Sequence, residues 1–152
     1  MKKLEGLKIA TALDINMVYY TIRLDAKSKD RTTILMEFGK FQYSFLSIGM
    51  GISGDIFQTK VKKLLGDIER VKAYIENIIV LDKGKFADHV GQLRFYFSRI
   101  RKSGLKIRSK KCIFILKEIP YLGYVITREG VKHNHKKIQG IVYLQRPKTT
   151  TK

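Results

Sequence analysis

The hydrophobic and polar positions of this chain fall into short alternating runs broken by two longer runs of helical period. Ile9 to Leu13 reads as a brief strand ending at Asp14. A second strand is expected through residues 19–24, with either Tyr19, Thr21 and Arg23 or Tyr20, Ile22 and Leu24 facing inward. After a polar turn from Asp25 to Asp30, Thr32–Phe38 and Phe41–Leu46 predict a hairpin across Gly39-Lys40. Glycines 49, 51 and 54 mark a loop, and Asp55 is placed to cap a helix running through Leu65 with Ile56, Val61, Leu64 and Leu65 inward. Val71, Ala73 and Ile75 then lead into Ile78 to Leu81, a hairpin with Glu76 and Asn77 at its tip. Phe86 to Lys102 predicts a long amphipathic helix stopped at Ser103-Gly104. Strands at Leu105–Ile107, Cys112–Leu116 and Tyr121–Thr127 complete the body, and a basic disordered tail is expected from Pro147 to Lys152. Strands alternating with helices in this order predict an α+β fold, a split βαβ sheet with helices on one face.

With 152 residues and 44% hydrophobic content, the chain is expected to be one folded domain over residues 1–146. Its formal net charge of +18 is extreme and uneven: 16 cations against 2 anions follow Val90, while 15 against 11 precede it. That asymmetry points to a polyanionic partner, nucleic acid first, because clustered cations gain from counterion release. Arg94, Arg99, Arg101 and Lys102 on the long helix fit phosphate contacts as well as a solvated face. Cys112, the one cysteine, lies in an apolar run and reads as a buried structural residue in a reducing compartment. His133 and His135 beside Lys132 and Lys136 read as a solvated basic turn, and three histidines give no zinc constellation. Charged residues Glu5 and Lys8 interrupt the apolar start, so no secretion signal is expected; nor does any segment reach the ~20 apolar residues of a membrane span. An intracellular location follows, cytoplasmic or nuclear.

Asp14 and the Glu76-Asn77 tip carry the candidate chemistry. If their strands are neighbours, their oxygens converge. Clustered carboxylates are what phosphoryl transfer to a nucleotide requires, with two hard cations about 3.5–4 Å apart. By spacing alone a strand-end aspartate is more often a turn or capping residue.

Resemblance adds to this reading. The run Thr11-Ala12-Leu13-Asp14-Ile15-Asn16-Met17-Val18-Tyr19-Tyr20-Thr21-Ile22-Arg23-Leu24 resembles the first palm motif of the reverse transcriptases of gypsy-type LTR retrotransposons. Leu46-Ser47-Ile48-Gly49 with Asp55-Ile56-Phe57-Gln58, Tyr74-Ile75-Glu76-Asn77, Gly104-Leu105-Lys106 through Lys111-Cys112, and Tyr121-Leu122-Gly123-Tyr124 match that family's later motifs in their usual order. The resemblance covers about Ala10 to Val142. It implies a right-hand polymerase palm, with a ferredoxin-like sheet, plus a fingers hairpin. It implies that Asp14 and Glu76 hold Mg²⁺ or Mn²⁺, with Asn77 at the second position of the box. Tyr19, Gly49 and Gln58 would line the nucleotide, Lys111 would lie near the departing pyrophosphate, and Tyr121, Leu122 and Gly123 would grip the primer. An RNA or DNA template-primer and a dNTP are the implied partners. Fingertips would lie before residue 1, and thumb, connection and ribonuclease H regions after residue 152.

The sequence also departs from the family. Glu76 and Asn77 stand where the box carries two aspartates. Glutamate pushes its carboxylate out by ~1.5 Å, one C–C bond, and asparagine is neutral. Ser47 and Gly54 replace usual prolines, and Val18 a usual glycine. A polymerase fragment with transfer lost or strongly impaired is therefore expected. The alternatives are a non-catalytic nucleic-acid-binding relic and a transposon remnant without selected function.

Overall fold

The computed structural model describes residues 6–143 apart from 67 and 69; the basic tail expected from Pro147 lies outside them. The elements in chain order are β1 (Ile9–Asn16), α1 (Ala26–Asp30), β2 (Ile34–Met36), β3 (Gly39–Phe41), α2 (Ser53–Leu65), β4 (Val71–Tyr74), β5 (Asn77–Asp82), α3 (Phe86–Lys102), β6 (Lys106–Ile107), β7 (Ile113–Leu116), β8 (Ile119–Tyr121), β9 (Tyr124–Thr127), β10 (Gly130–His133) and α4 (His135–Val142). The main sheet has the order β4-β5-β1-β6, with β7 also pairing β1, and every pairing is antiparallel. This is the predicted α+β split βαβ arrangement: β5 lies between β4 and β1, and α2 and α3 make the crossovers.

Alternation along β1 and β5 sends two different sets of side chains to the two faces. Leu13, Ile15, Ile78 and Val80 pack against Phe57, Val61 and Leu65 of α2 and Leu93, Tyr96 and Ile100 of α3. Ala10 and Ile79 turn the other way and meet Leu7, Ile119 and Ile126, closing a smaller core under the three-stranded sheet β10-β9-β8. Helices α2 and α3 therefore cover one face of the main sheet, and the three-stranded sheet packs on the other. On the helix-covered face a buried polar group joins sheet to helix: Thr11 Oγ1 lies 2.8 Å from Nε2 of His89, and both residues are fully buried. Burial pushes the His89 imidazole below its usual pKa, and the neighbouring Asp82 carboxylate opposes that in part.

The long helix runs from Phe86 to Lys102 as expected, with the Asp88 carboxylate accepting from the Lys85 N–H at 3.1 Å near its start. His89, Leu93, Tyr96 and Ile100 form its buried stripe, and Gly104 follows at φ +76°. Elsewhere the structure corrects the sequence reading. Residues 19–24 do not form a strand: the chain leaves the sheet at Met17 (φ +50°), buries Val18 and makes a 3-10 turn over Tyr19–Thr21. The expected Gly39-Lys40 turn moves to Glu37-Phe38, because Met36 pairs with Gly39. That register is held by the Tyr43 N–H donating to Thr32 Oγ1 at 3.0 Å. Asp55 does not cap α2. The Ser53 hydroxyl donates to the Ser47 carbonyl at 2.7 Å and the helix starts at Ser53, with Phe57 on its buried stripe and Ile56 and Leu64 only half-buried.

The segment 121–127 is two strands. Leu122 (φ +49°) and Gly123 (φ +86°) form a two-residue turn that pairs Tyr121 with Tyr124. Lys110 and Lys111 lie in a 3-10 turn, His133 ends β10, and His135 starts α4. Cys112 is half-buried, its Sγ 3.4 Å from the Arg108 carbonyl. Among the described residues no helix is long and apolar enough to cross a membrane.

Candidate active site

The pairing of β1 with β5 brings the two sequence-predicted centres together. Asp14 stands directly opposite Asn77, and the Ile15 N–H donates to the Glu76 carbonyl at 2.9 Å, so the ladder runs on into the turn. Tyr74 pairs with Asn77, which makes Ile75 and Glu76 the tip of the hairpin. Asn77 is thus the first residue of β5, one position inward of the tip expected for it. Ile75 sits at φ +48°, a region that a β-branched residue reaches only under strain of about 1–3 kcal/mol.

That strained turn is held from outside. Gln58 on α2 accepts from the Ile75 N–H through Oε1 at 2.6 Å and donates through Nε2 to the Ala73 carbonyl at 3.0 Å. Both ends of its amide are spent on the box hairpin. The Ile75 side chain in turn reaches over α2: a Cβ on Gly54 would lie 3.8 Å from Ile75 Cδ1, an ordinary contact. Tyr19 is half-buried and places its ring edge-to-face on Phe57, centroids 6.1 Å apart. Gly49 lies in the exposed turn before α2 at φ +95°. Tyr121, Leu122 and Gly123 sit on the β8–β9 hairpin of the smaller sheet. Tyr121 packs against that sheet's core, burial raising its phenol pKa, while Leu122 is exposed at the turn. On α3, Arg94, Arg101 and Lys102 are exposed. Arg99 is used within the fold, donating to the Leu64 carbonyl at 2.9 Å and lying 5.1 Å over the Phe95 ring.

Asp14 is the most deeply placed charge of the site, 7% exposed. Its neighbours across the other edge of β1 are cations. β6 pairs Ile15 with Ile107 and Asn16 with Lys106, so Arg108 falls opposite Asp14, and the Arg108 N–H donates to the Asp14 carbonyl at 2.8 Å. Arg108 Nε lies 3.6 Å from Asp14 Oδ1, and Lys111 Nζ 3.9 Å from Oδ2. The guanidinium's hydrogen bonds go to Asn16 Oδ1, at 3.0 Å from Nη2 and 3.4 Å from Nε. Neither Arg108 nor Asn16 was singled out from the sequence. Asn16 lies two residues beyond Asp14 on the same strand face, which could have flagged it. Arg108 has no local signal, since its partner is 92 positions away.

The donor set can be tested against the divalent ions that the resemblance implies. Asp14 Oδ1 is buried without a hydrogen-bond partner, as a metal-binding oxygen can be. Asn77 offers a neutral amide, and among the described residues no three His, Cys, Asp or Glu side chains gather to hold an ion. Two cations already face the Asp14 carboxylate. This set does not fit a pair of metal ions bridged by carboxylates.

Residues 1–126 match the family described as reverse transcriptase (RNA-dependent DNA polymerase). The chain is 25% identical over 150 residues to the transposon Tf2-7 polyprotein of Schizosaccharomyces pombe, covering 97% of the chain and 11% of that protein. It is 31% identical over 132 residues to the enzymatic polyprotein of soybean chlorotic mottle virus, covering 86% and 19%. The fold is similar to the foamy viral protease-reverse transcriptase solved in complex with an RNA/DNA hybrid. There the TM-score is 0.83 at 21% identity, over 92% of this chain and 19% of that one. The chain therefore spans about a tenth to a fifth of the length of these relatives.

Proposed function

The chain belongs to the reverse transcriptase (RNA-dependent DNA polymerase) family, and we propose that it is a palm with part of the fingers from a gypsy-type LTR retrotransposon, its nucleotidyl transfer lost or strongly impaired. One observation carries this reading: across the β1–β5 ladder Asp14 faces an asparagine, so the centre keeps a buried carboxylate but loses an anion at the position opposite it. The family's chemistry uses divalent metal ions to steady attacking and leaving oxygens. In this chain the groups left for that work are Asp14 and Glu76, and a misplacement of about 1 Å costs on the order of 100-fold in rate. Tyr19 and Gly49 are placed in this reading along the nucleotide, Lys111 near the departing pyrophosphate, and Tyr121 to Gly123 along the primer. Gln58 serves by fixing the box turn. An RNA or DNA template-primer and a dNTP are the proposed partners, inside the cell.

Primer extension on an RNA template with Mg²⁺ or Mn²⁺ tests the reading. No product above background is expected; extension that disappears in Asp14→Ala overturns it. Restoring both aspartates, with Glu76→Asp and Asn77→Asp, is expected to rescue little. The charge of +18 favours one further reading, a nucleic-acid-binding module without turnover. Affinity for an RNA–DNA hybrid then falls steeply with salt, and a flat salt dependence removes this reading.

A further inference from the structure

We infer that Arg108 is a built-in counter-cation for Asp14, supplying the positive charge a divalent ion would bring and keeping such an ion out; this rests on reading Asp14 as the ancestral metal ligand. Three features of the geometry carry the inference. First, Arg108 is placed by backbone register: its N–H donates to the Asp14 carbonyl at 2.8 Å, so the side chain starts beside the carboxylate whatever its rotamer. Second, the guanidinium is anchored on Asn16 Oδ1 at 3.0 and 3.4 Å, while its Nε stands 3.6 Å from Asp14 Oδ1. Its position is therefore set by a neutral amide and does not depend on a bond to the carboxylate. Third, Lys111 faces the other oxygen at 3.9 Å, so each oxygen of Asp14 has its own cation.

Charge counting gives the consequence. Around the Asp14 carboxylate stand two cations, Arg108 and Lys111, against its single negative charge, and Asn77 opposite it brings none. The charge of Asp14 is already matched. An entering divalent ion would meet a fixed guanidinium, charged at every accessible pH, within the same few ångströms. Magnesium also needs several oxygen ligands in near-octahedral placement, and the guanidinium offers only donors. Asn16 acts here as a positioning residue, holding Arg108 over a carboxylate that would otherwise stand open.

The test is a Mn²⁺ titration of the 152-residue chain without nucleic acid or nucleotide, followed through the paramagnetic resonance of free Mn²⁺. The unmodified chain and Asp14→Asn are expected to take up Mn²⁺ alike. Arg108→Gln keeps a polar side chain beside Asn16 and removes the charge. It is expected to gain a site with roughly tenfold or greater affinity, lost again when Asp14→Asn is added. Asn16→Ser frees the guanidinium without deleting it and is expected to shift affinity the same way by less. Asp14-dependent Mn²⁺ binding in the unmodified chain overturns the inference, whether or not the variants fold. So does the absence of any gain in both Arg108→Gln and Asn16→Ser. Because the readout is ion binding, it separates from the functional reading: a chain that binds Mn²⁺ at Asp14 yet extends no primer refutes Arg108's role and leaves that reading standing.

Discussion

Strand β5 and the hairpin β2–β3 are similarly apolar in sequence, yet they end in opposite surroundings. Ile78, Ile79 and Val80 of β5 are almost completely buried between the helices and the smaller sheet. Ile34, Leu35, Met36, Phe38 and Phe41 around β2–β3 are all exposed, Leu35 and Phe38 at 78%. An apolar run therefore specifies that a segment wants cover, and the supply of covering elements decides whether it is buried. β5 sits in the interior of a sheet with α2 and α3 on one side and β8–β9 on the other. Among the described residues β2 and β3 pair only with each other, and Tyr43 and Gln42 bond back to Thr32 and Thr33.

The contrast can be broken at graded depth. Phe57→Ala, under the centre of β1 and β5, is expected to destabilise by about 3–5 kcal/mol, read from urea unfolding followed by circular dichroism. A smaller effect is expected where the buried contact is polar. Thr11→Val leaves His89 Nε2 without its partner and should cost about 1–3 kcal/mol in the same measurement. The same pair gives a pH dependence. The folded protein holds the His89 pKa below the ordinary value of about 6.5, so the unfolded chain binds the proton more readily. Stability is then fully present above about pH 6.5 and declines as pH falls below it. Unfolding midpoints at pH 7.5 and 5.5 should differ in that direction, and His89→Gln should reduce the difference. At the other extreme, Leu35→Ser in the exposed hairpin should change stability by no more than about 0.5 kcal/mol. A loss as large as that of Phe57→Ala would show that the hairpin is covered in solution.

What the sequence revealed divides along the range of the interactions concerned. Helix α3 was legible to the residue, because its start, its buried stripe and Gly104 all lie within one segment. The alternation of strands and helices followed from local periods as well, but which strands pair did not, and β8 and β9 were read as one strand. Residues 19–24 were misread because Tyr19, Thr21 and Arg23 alternate with Tyr20, Ile22 and Leu24. Either set reads as an inward face, while a 3-10 turn satisfies Val18 and Tyr19 against Phe57. The box tip was misplaced by one residue: Tyr74 pairs with Asn77, so the turn is Ile75-Glu76, with Ile75 at φ +48° where local preference argues against a β-branched residue. Asp14 beside Asn77 was foreseen on the condition that their strands were neighbours, and they are. Arg108 was invisible, being brought to Asp14 only by the short β1–β6 register.

Strand β1 is flanked on both sides, and its residues alternate between two unlike surfaces. A slip of one residue would turn Asp14 toward the helices and Leu13 toward the opposite face, beside Arg108, while Thr11 would lose His89. The penalty for such a slip is spread over aliphatic packing, a buried hydroxyl and an ion pair at once. The placement of Asp14 is therefore inherited from the core: substitutions can rewrite Glu76 and Asn77 at the hairpin end while the backbone frame around them keeps its alignment. The alignment of such a centre is thus held by the core and not by the residues at its tip.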